Sequence, residues 1–76
     1  MAHKTTAGEI VRSLRNLADM TQEDLAEVAN TSAAYISRVE NGIARPTPQW
    51  IGNVAAAAGA RIKATATHNT VTSSAA

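Results

Sequence analysis

Apolar residues recur along this chain at spacings of three and four, and each series opens on a polar residue suited to starting a helix. Ala7, Ile10, Val11, Leu14, Leu17 and Ala18 form one stripe, with Arg12, Ser13, Arg15 and Asn16 on the other face, which predicts a first amphipathic helix. It starts at Thr6, where Thr6-Ala-Gly-Glu9 fits a capping box: the hydroxyl accepts from an amide two or three residues on, and the glutamate reaches back. Thr21-Gln-Glu-Asp24 repeats the device for a second helix. Its acids lie in the first turn, where the helix dipole favours negative charge. Leu25, Ala26, Val28 and Ala29 supply its buried stripe. Asn30 then tolerates the left-handed backbone of a tight turn.

A third helix is capped by Thr31 or Ser32 and runs through Ala33–Glu40, with Ile36 and Val39 inward. Asn41-Gly42 is a stop signal, and Ile43-Ala-Arg-Pro46 is a loop. Thr47 caps a fourth helix with Pro48 at its first position, where the missing amide costs nothing. Its stripe is Trp50, Ile51, Val54, Ala55 and Ala58, and Gly59 is expected to end it. Arg61–Thr67 alternates and carries Thr65 and Thr67, which predicts a short edge strand. One strand is not stable alone, so Ile62 and Ala64 would pair with a second copy of the chain. The expected organisation is a loose N-terminal arm over 1–5, a folded unit over 6–59, a dimerisation strand within 60–67 and a disordered tail over 68–76. The fold class is all-α: four compact helices with a short C-terminal β segment.

Composition narrows the possibilities. Of the 76 residues, 45% are apolar, but seventeen are alanine, and the large aliphatics are three Leu, five Ile, five Val and two Met. A domain this small buries only about 60% of its unfolded surface, so a second copy or very tight helical packing has to supplement the core. Without cysteine there is no disulfide framework or thiolate metal site. Val54–Ala58, the longest apolar run, is far short of the roughly 20 residues of a membrane helix. Lys4 is followed by no apolar region, so no signal peptide is visible and a soluble cytoplasmic chain is expected. His3 and His68 flank the folded unit without helical spacing to an acid, so no metal or other cofactor is expected. No histidine lies inside the folded unit to act as a base, and no nucleophile–base pair, phosphate loop or zinc signature is present. The chain does not read as an enzyme, and no small-molecule substrate or membrane partner is implied.

The second and third helices carry the information about function. They are short and joined by a turn of about three or four residues, the pattern of a helix-turn-helix. Ala26 lies where the two helices approach closely and Ile36 pins the third from below. Its outer face is Ser32, Ala33, Ala34, Tyr35, Ser37 and Arg38, short-chained and without an acid until Glu40. A DNA major groove about 12 Å wide admits such a helix.

Thr21-Gln-Glu-Asp-Leu-Ala-Glu-Val-Ala29, followed in register by Ser32-Ala-Ala-Tyr-Ile-Ser-Arg-Val-Glu-Asn-Gly42 and then Pro46-Thr-Pro48, resembles the Cro/repressor-type (XRE, lambda-repressor-like) helix-turn-helix family. That family includes phage repressors and Cro proteins, bacterial regulators and antitoxins. The similarity covers about residues 8–59. It implies that Gln22 touches a phosphate and braces the recognition helix, and that Ser32, Ala33, Ala34 and Tyr35 face base edges. Arg38 would make a bidentate contact to guanine. Ser37, Asn41 and Arg45 would meet phosphates near the backbone of Gly42. Arg15 would pair with Glu40 and be restrained near a phosphate.

Two features depart from a strong reader of DNA. Ala33 and Ala34 offer only methyl contact, so discrimination would lean on Tyr35, Arg38 and DNA shape. Residues 9–45 hold four arginines (12, 15, 38, 45) against six acids (9, 19, 23, 24, 27, 40), a net charge of −2. The basic footprint of a DNA binder is therefore local.

Plainer roles compete for the same residues. Arg38 could be a solvated helix residue, Tyr35 could pack half-buried against a neighbouring helix, Arg15 and Glu40 could be only a surface ion pair, and Trp50 reads as core. The expected function is sequence-specific transcriptional regulation by a homodimer on a pseudo-palindromic operator in double-stranded DNA, in a phage-type repressor or Cro-like role. The alternatives are an antitoxin that holds a toxin protein and autoregulates its operon, and an N-terminal domain of a larger repressor.

Overall fold

Four helices follow one another: α1 (Ala7–Leu17), α2 (Gln22–Val28), α3 (Ala33–Glu40) and α4 (Pro48–Ala75). This computed structural model describes the backbone of residues 5–75 and the side chains of residues 5–66. The expected arm over 1–5 therefore lies, apart from Thr5, outside the described residues, as do the side chains of the expected tail over 68–76.

Every helix starts on the hydroxyl residue that its sequence supplies. Thr6 Oγ1 accepts from the Glu9 amide at 3.1 Å, and the Glu9 carboxylate accepts from the Thr6 amide at 2.9 Å. Thr21 and Asp24 make the same reciprocal pair at 3.0 and 3.2 Å. Ser32, rather than Thr31, caps α3, its hydroxyl accepting from the Tyr35 amide at 3.0 Å. Thr47 accepts from the Trp50 amide at 3.1 Å, with Pro48 at the first helical position. Each cap satisfies an amide that a helix start would otherwise leave unpaired, worth about 0.5–2 kcal/mol.

The connections are tight because three residues enter the left-handed region: Asp19 at φ 55°, Asn30 at φ 56° and Gly42 at φ 76°. Asn30 and Gly42 occupy the turns that their residue types predict. Asp19 does the same work after α1 and lets the Met20 amide return to the Arg15 carbonyl at 3.0 Å.

Val11, Ala18, Met20, Leu25, Ala26, Ile36, Val39, Val54 and Ala58 form the buried core. Burying an aliphatic such as Leu25 or Ile36 contributes about 1.5–3 kcal/mol. α1 packs on α3 and α4, and α2 packs on the same two helices. The α1–α3 approach is closest at Gly8, where a Cβ would stand 2.5 Å from the Val39 carbonyl oxygen and 2.9 Å from that of Glu40. Only a residue without a side chain lets α1 cross there.

The structure departs from the sequence reading at the C-terminal end. Residues 61–67 form no strand; they continue α4, which runs through Gly59 without ending. Val54, Ala58 and Ile62 lie four residues apart on one face, and Ile62 packs half-buried against the core. That helical repeat outweighs the β preference of two threonines. Ala64 is exposed, so Ile62 and Ala64 do not form a strand for pairing. Leu17 and Val28, expected inside, are 72% and 48% exposed. Both occupy the last turn of a short helix, where the chain turns away before a neighbour covers them. Among the described residues no helix is long and apolar enough to cross a membrane.

Candidate nucleic-acid interface

The two faces of α3 are chemically distinct. Ile36 and Val39 are buried and fix the helix to the core. Ser32, Ala34, Arg38 and Asn41 are exposed, whereas Ala33, Tyr35 and Ser37 are half-buried. Ala33 and Tyr35 pack against the core cluster, so the outward surface is narrower than the sequence suggests. The Ser32 hydroxyl oxygen is engaged in the helix cap, and that of Ser37 accepts from Asn41 Nδ2 at 3.4 Å.

Tyr35 connects the outer face to the interior. The Arg38 guanidinium carbon lies over its ring, 5.7 Å from the centroid. The same ring meets Trp50 of α4 nearly edge-on, with centroids 5.2 Å apart and planes at 79°. Trp50 in turn donates its indole N–H to Thr31 Oγ1 at 3.1 Å. Trp50 is half-buried: it packs on the core as expected, but it also presents a ring to α3.

A second cluster gathers around Glu40, whose side chain is only 1% exposed. Arg15 grips it at two points, Nε to Oε2 at 2.9 Å and Nη2 to Oε1 at 3.1 Å. Arg15 Nη1 also donates to the Met20 carbonyl at 3.2 Å. Gln22 Nε2 donates to Glu40 Oε1 at 3.3 Å, and Arg12 Nε reaches the same oxygen at 3.4 Å. Side chains from α1, α2 and α3 thus converge on one carboxylate. Burial pushes the Glu40 carboxyl up, but the hydrogen bonds from Arg15, Gln22 and Arg12 and the Arg15 charge outweigh it, so the group sits below the ordinary carboxylate range. The bond to Glu40 raises Arg15 above its ordinary value more than burial lowers it. At neutral pH both are charged, and the cluster is a permanent brace.

Arg15 and Glu40 are paired, and Gln22 donates to the same carboxylate. Arg12, which the sequence reading placed simply on the polar face, belongs to the same cluster and is 54% exposed. Its place three residues before Arg15, one helical turn away, is the signal that could have found it. Asn41 and Arg45 line a groove with Thr6, Gly8 and Glu40 between the start of α1 and the loop after α3. Ile62 and Ala64 lie on α4, away from any strand.

The outward surface of α3 is short and carries Arg38, with Asn41 at the end of the helix, Arg45 in the loop that follows and Arg12 on α1 beside Glu40. Such a surface offers hydrogen-bond donors to base edges and phosphates. It is held rigidly by a core on one side and a buried ion pair at its C-terminal end.

A family model described as "Helix-turn-helix" matches residues 11–59, well over half of the chain. No curated protein and no solved structure gives a significant match.

Proposed function

From the premise that this chain belongs to the Cro/repressor-type (XRE) helix-turn-helix family of DNA-binding regulators, we propose that α3 is its recognition helix and that the chain regulates transcription at a two-fold symmetric operator. The observation that carries this reading is the exposed face of Ser32, Ala34 and Arg38 on a helix fixed from behind by Ile36, Val39 and Glu40. Arg38 reads guanine, and Ala34 makes methyl contact with a thymine. Asn41, Arg45 and the exposed part of Arg12 meet phosphates and set the register. Arg15 and Gln22 support that surface through Glu40.

The protein acts as a homodimer. Residues 9–45 carry two more acids than arginines, so one copy holds the phosphate backbone weakly, and two recognition helices on half-sites one turn apart, about 34 Å, restore affinity. Repression by occluding a promoter fits a chain whose described residues hold one DNA-binding fold.

The test is a genome-wide selection of bound DNA by the purified chain. Enrichment of a pseudo-palindrome, shifted in mobility by two chains per site, supports the reading. Recovery of DNA without any common sequence overturns it.

A further inference from the structure

We infer that Trp50 and Thr31 are positioning residues for base reading: they hold the Tyr35 ring as a platform that presents the Arg38 guanidinium to the groove. This rests on the recognition role of α3 proposed above and extends it to a second helix.

Arg38 is exposed on α3. An exposed arginine on one turn of helix samples many rotamers, and ordering it on contact with a base costs conformational entropy. Here its guanidinium already lies over the Tyr35 ring, 5.7 Å from the centroid, within the range in which a ring face attracts a cation. A platform works only if it does not move. Tyr35 is in the first turn of α3 and only half-buried, so its own backbone does not immobilise the ring. Trp50 does, standing edge-on to it at 5.2 Å and 79°, a favoured arrangement of two aromatic quadrupoles. Trp50 is itself anchored at its far end by the indole N–H donated to Thr31 Oγ1 at 3.1 Å. Thr31 is free for this because Ser32 caps α3, and its amide is fixed in the turn by the Ala26 carbonyl at 2.9 Å. A continuous chain of contacts therefore runs from the α2–α3 turn, through α4, to the tip of the reading arginine.

The experiment compares Kd on the selected operator with Kd on the same DNA carrying the exchanged base pair that Arg38→Ala ceases to discriminate. Thr31→Val keeps the side-chain shape and removes the acceptor, Trp50→Phe keeps a ring edge and removes the donor, and Tyr35→Leu removes the platform. Each should reduce that discrimination, Tyr35→Leu by about two- to fivefold, while Thr31→Val leaves affinity for random DNA unchanged. In an Arg38→Ala background the three changes should have no further effect on it. Wild-type discrimination in Thr31→Val and Tyr35→Leu, with loss in Arg38→Ala, overturns this inference and leaves the recognition role standing. No loss of discrimination in Arg38→Ala at any operator position overturns both. Thr31→Val is the smallest change, so it keeps the test decisive where Trp50→Phe fails to fold.

Discussion

Arg15 and Glu40 close a two-point hydrogen-bonded ion pair across 25 residues of sequence, with N–O distances of 2.9 and 3.1 Å. The pair ties α1 to the end of α3, and the glutamate is almost wholly enclosed. Most surface ion pairs contribute little, about 0–1 kcal/mol. This one differs because the carboxylate is out of solvent and three side chains donate to it.

Replacing Glu40 should therefore have a pH signature. The folded-state carboxyl sits below its ordinary value, so its contribution to stability is present above the ordinary carboxylate pKa and is lost as pH falls through the folded value. Glu40→Gln should melt below the wild type near neutral pH, by about 1–3 kcal/mol, and the two melting curves should converge as pH is lowered from about 5 toward 2. Thermal melts across that range check it; a constant difference at every pH would show that the charge of Glu40 is not the cause.

Gly8 and Gly59 make a paired prediction with opposite signs. Gly8→Ala pushes a Cβ into the Val39 carbonyl at 2.5 Å, and backbone cannot swing aside. The loss should be about 1–3 kcal/mol from overpacking, more than the gain in helix propensity. At Gly59 a Cβ meets nothing within 4 Å, and the residue is inside α4. Gly59→Ala should raise stability by about 0.5–1 kcal/mol. Denaturant midpoints of the two variants give the answer.

Arg38 and Arg45 should separate specificity from general affinity. Arg38→Ala should cost about 1–3 kcal/mol on the operator and little on random DNA. Arg45→Ala should weaken both equally and reduce the slope of log affinity against log salt by about 1. Titrations at several salt concentrations distinguish these patterns; equal losses on operator and random DNA for Arg38→Ala would remove its base-reading role.

Ile62 and Ala64 test the helical continuation of α4. Ile62 packs on the core and Ala64 is exposed on a helix. Ile62→Ala should destabilise the chain by about 1–2 kcal/mol, a partly buried side chain losing part of the full core value. Ala64→Val, which would favour a strand, should be neutral or slightly unfavourable in a helix. A stabilising effect of Ala64→Val in thermal melts would argue for the strand instead.

What was legible beforehand was local in origin. The starts at Thr6, Thr21 and Thr47, a third start at either Thr31 or Ser32, the turns at Asn30 and Gly42, and the inward positions Ile36 and Val39 all follow from residues within one or two helical turns of each other. The Arg15–Glu40 pair came from resemblance, since its members stand 25 positions apart in the sequence. The strand over 61–67 failed because a seven-residue window weighed two threonines and an alternation, whereas Val54, Ala58 and Ile62 extend one helical face over a longer span.

The sequence by itself determined where helices begin, where the chain turns and which side of each helix is apolar, because caps, left-handed turn residues and helical periodicity act over a few residues. Only the tertiary structure decided that Gly8 is a contact point, that Arg12 and Gln22 share the carboxylate of Glu40, that Leu17 is left uncovered and that Trp50 stands against Tyr35. Those outcomes depend on how far each helix extends past its neighbour and at what distance it crosses. Packing sets both, and no short stretch of sequence records them.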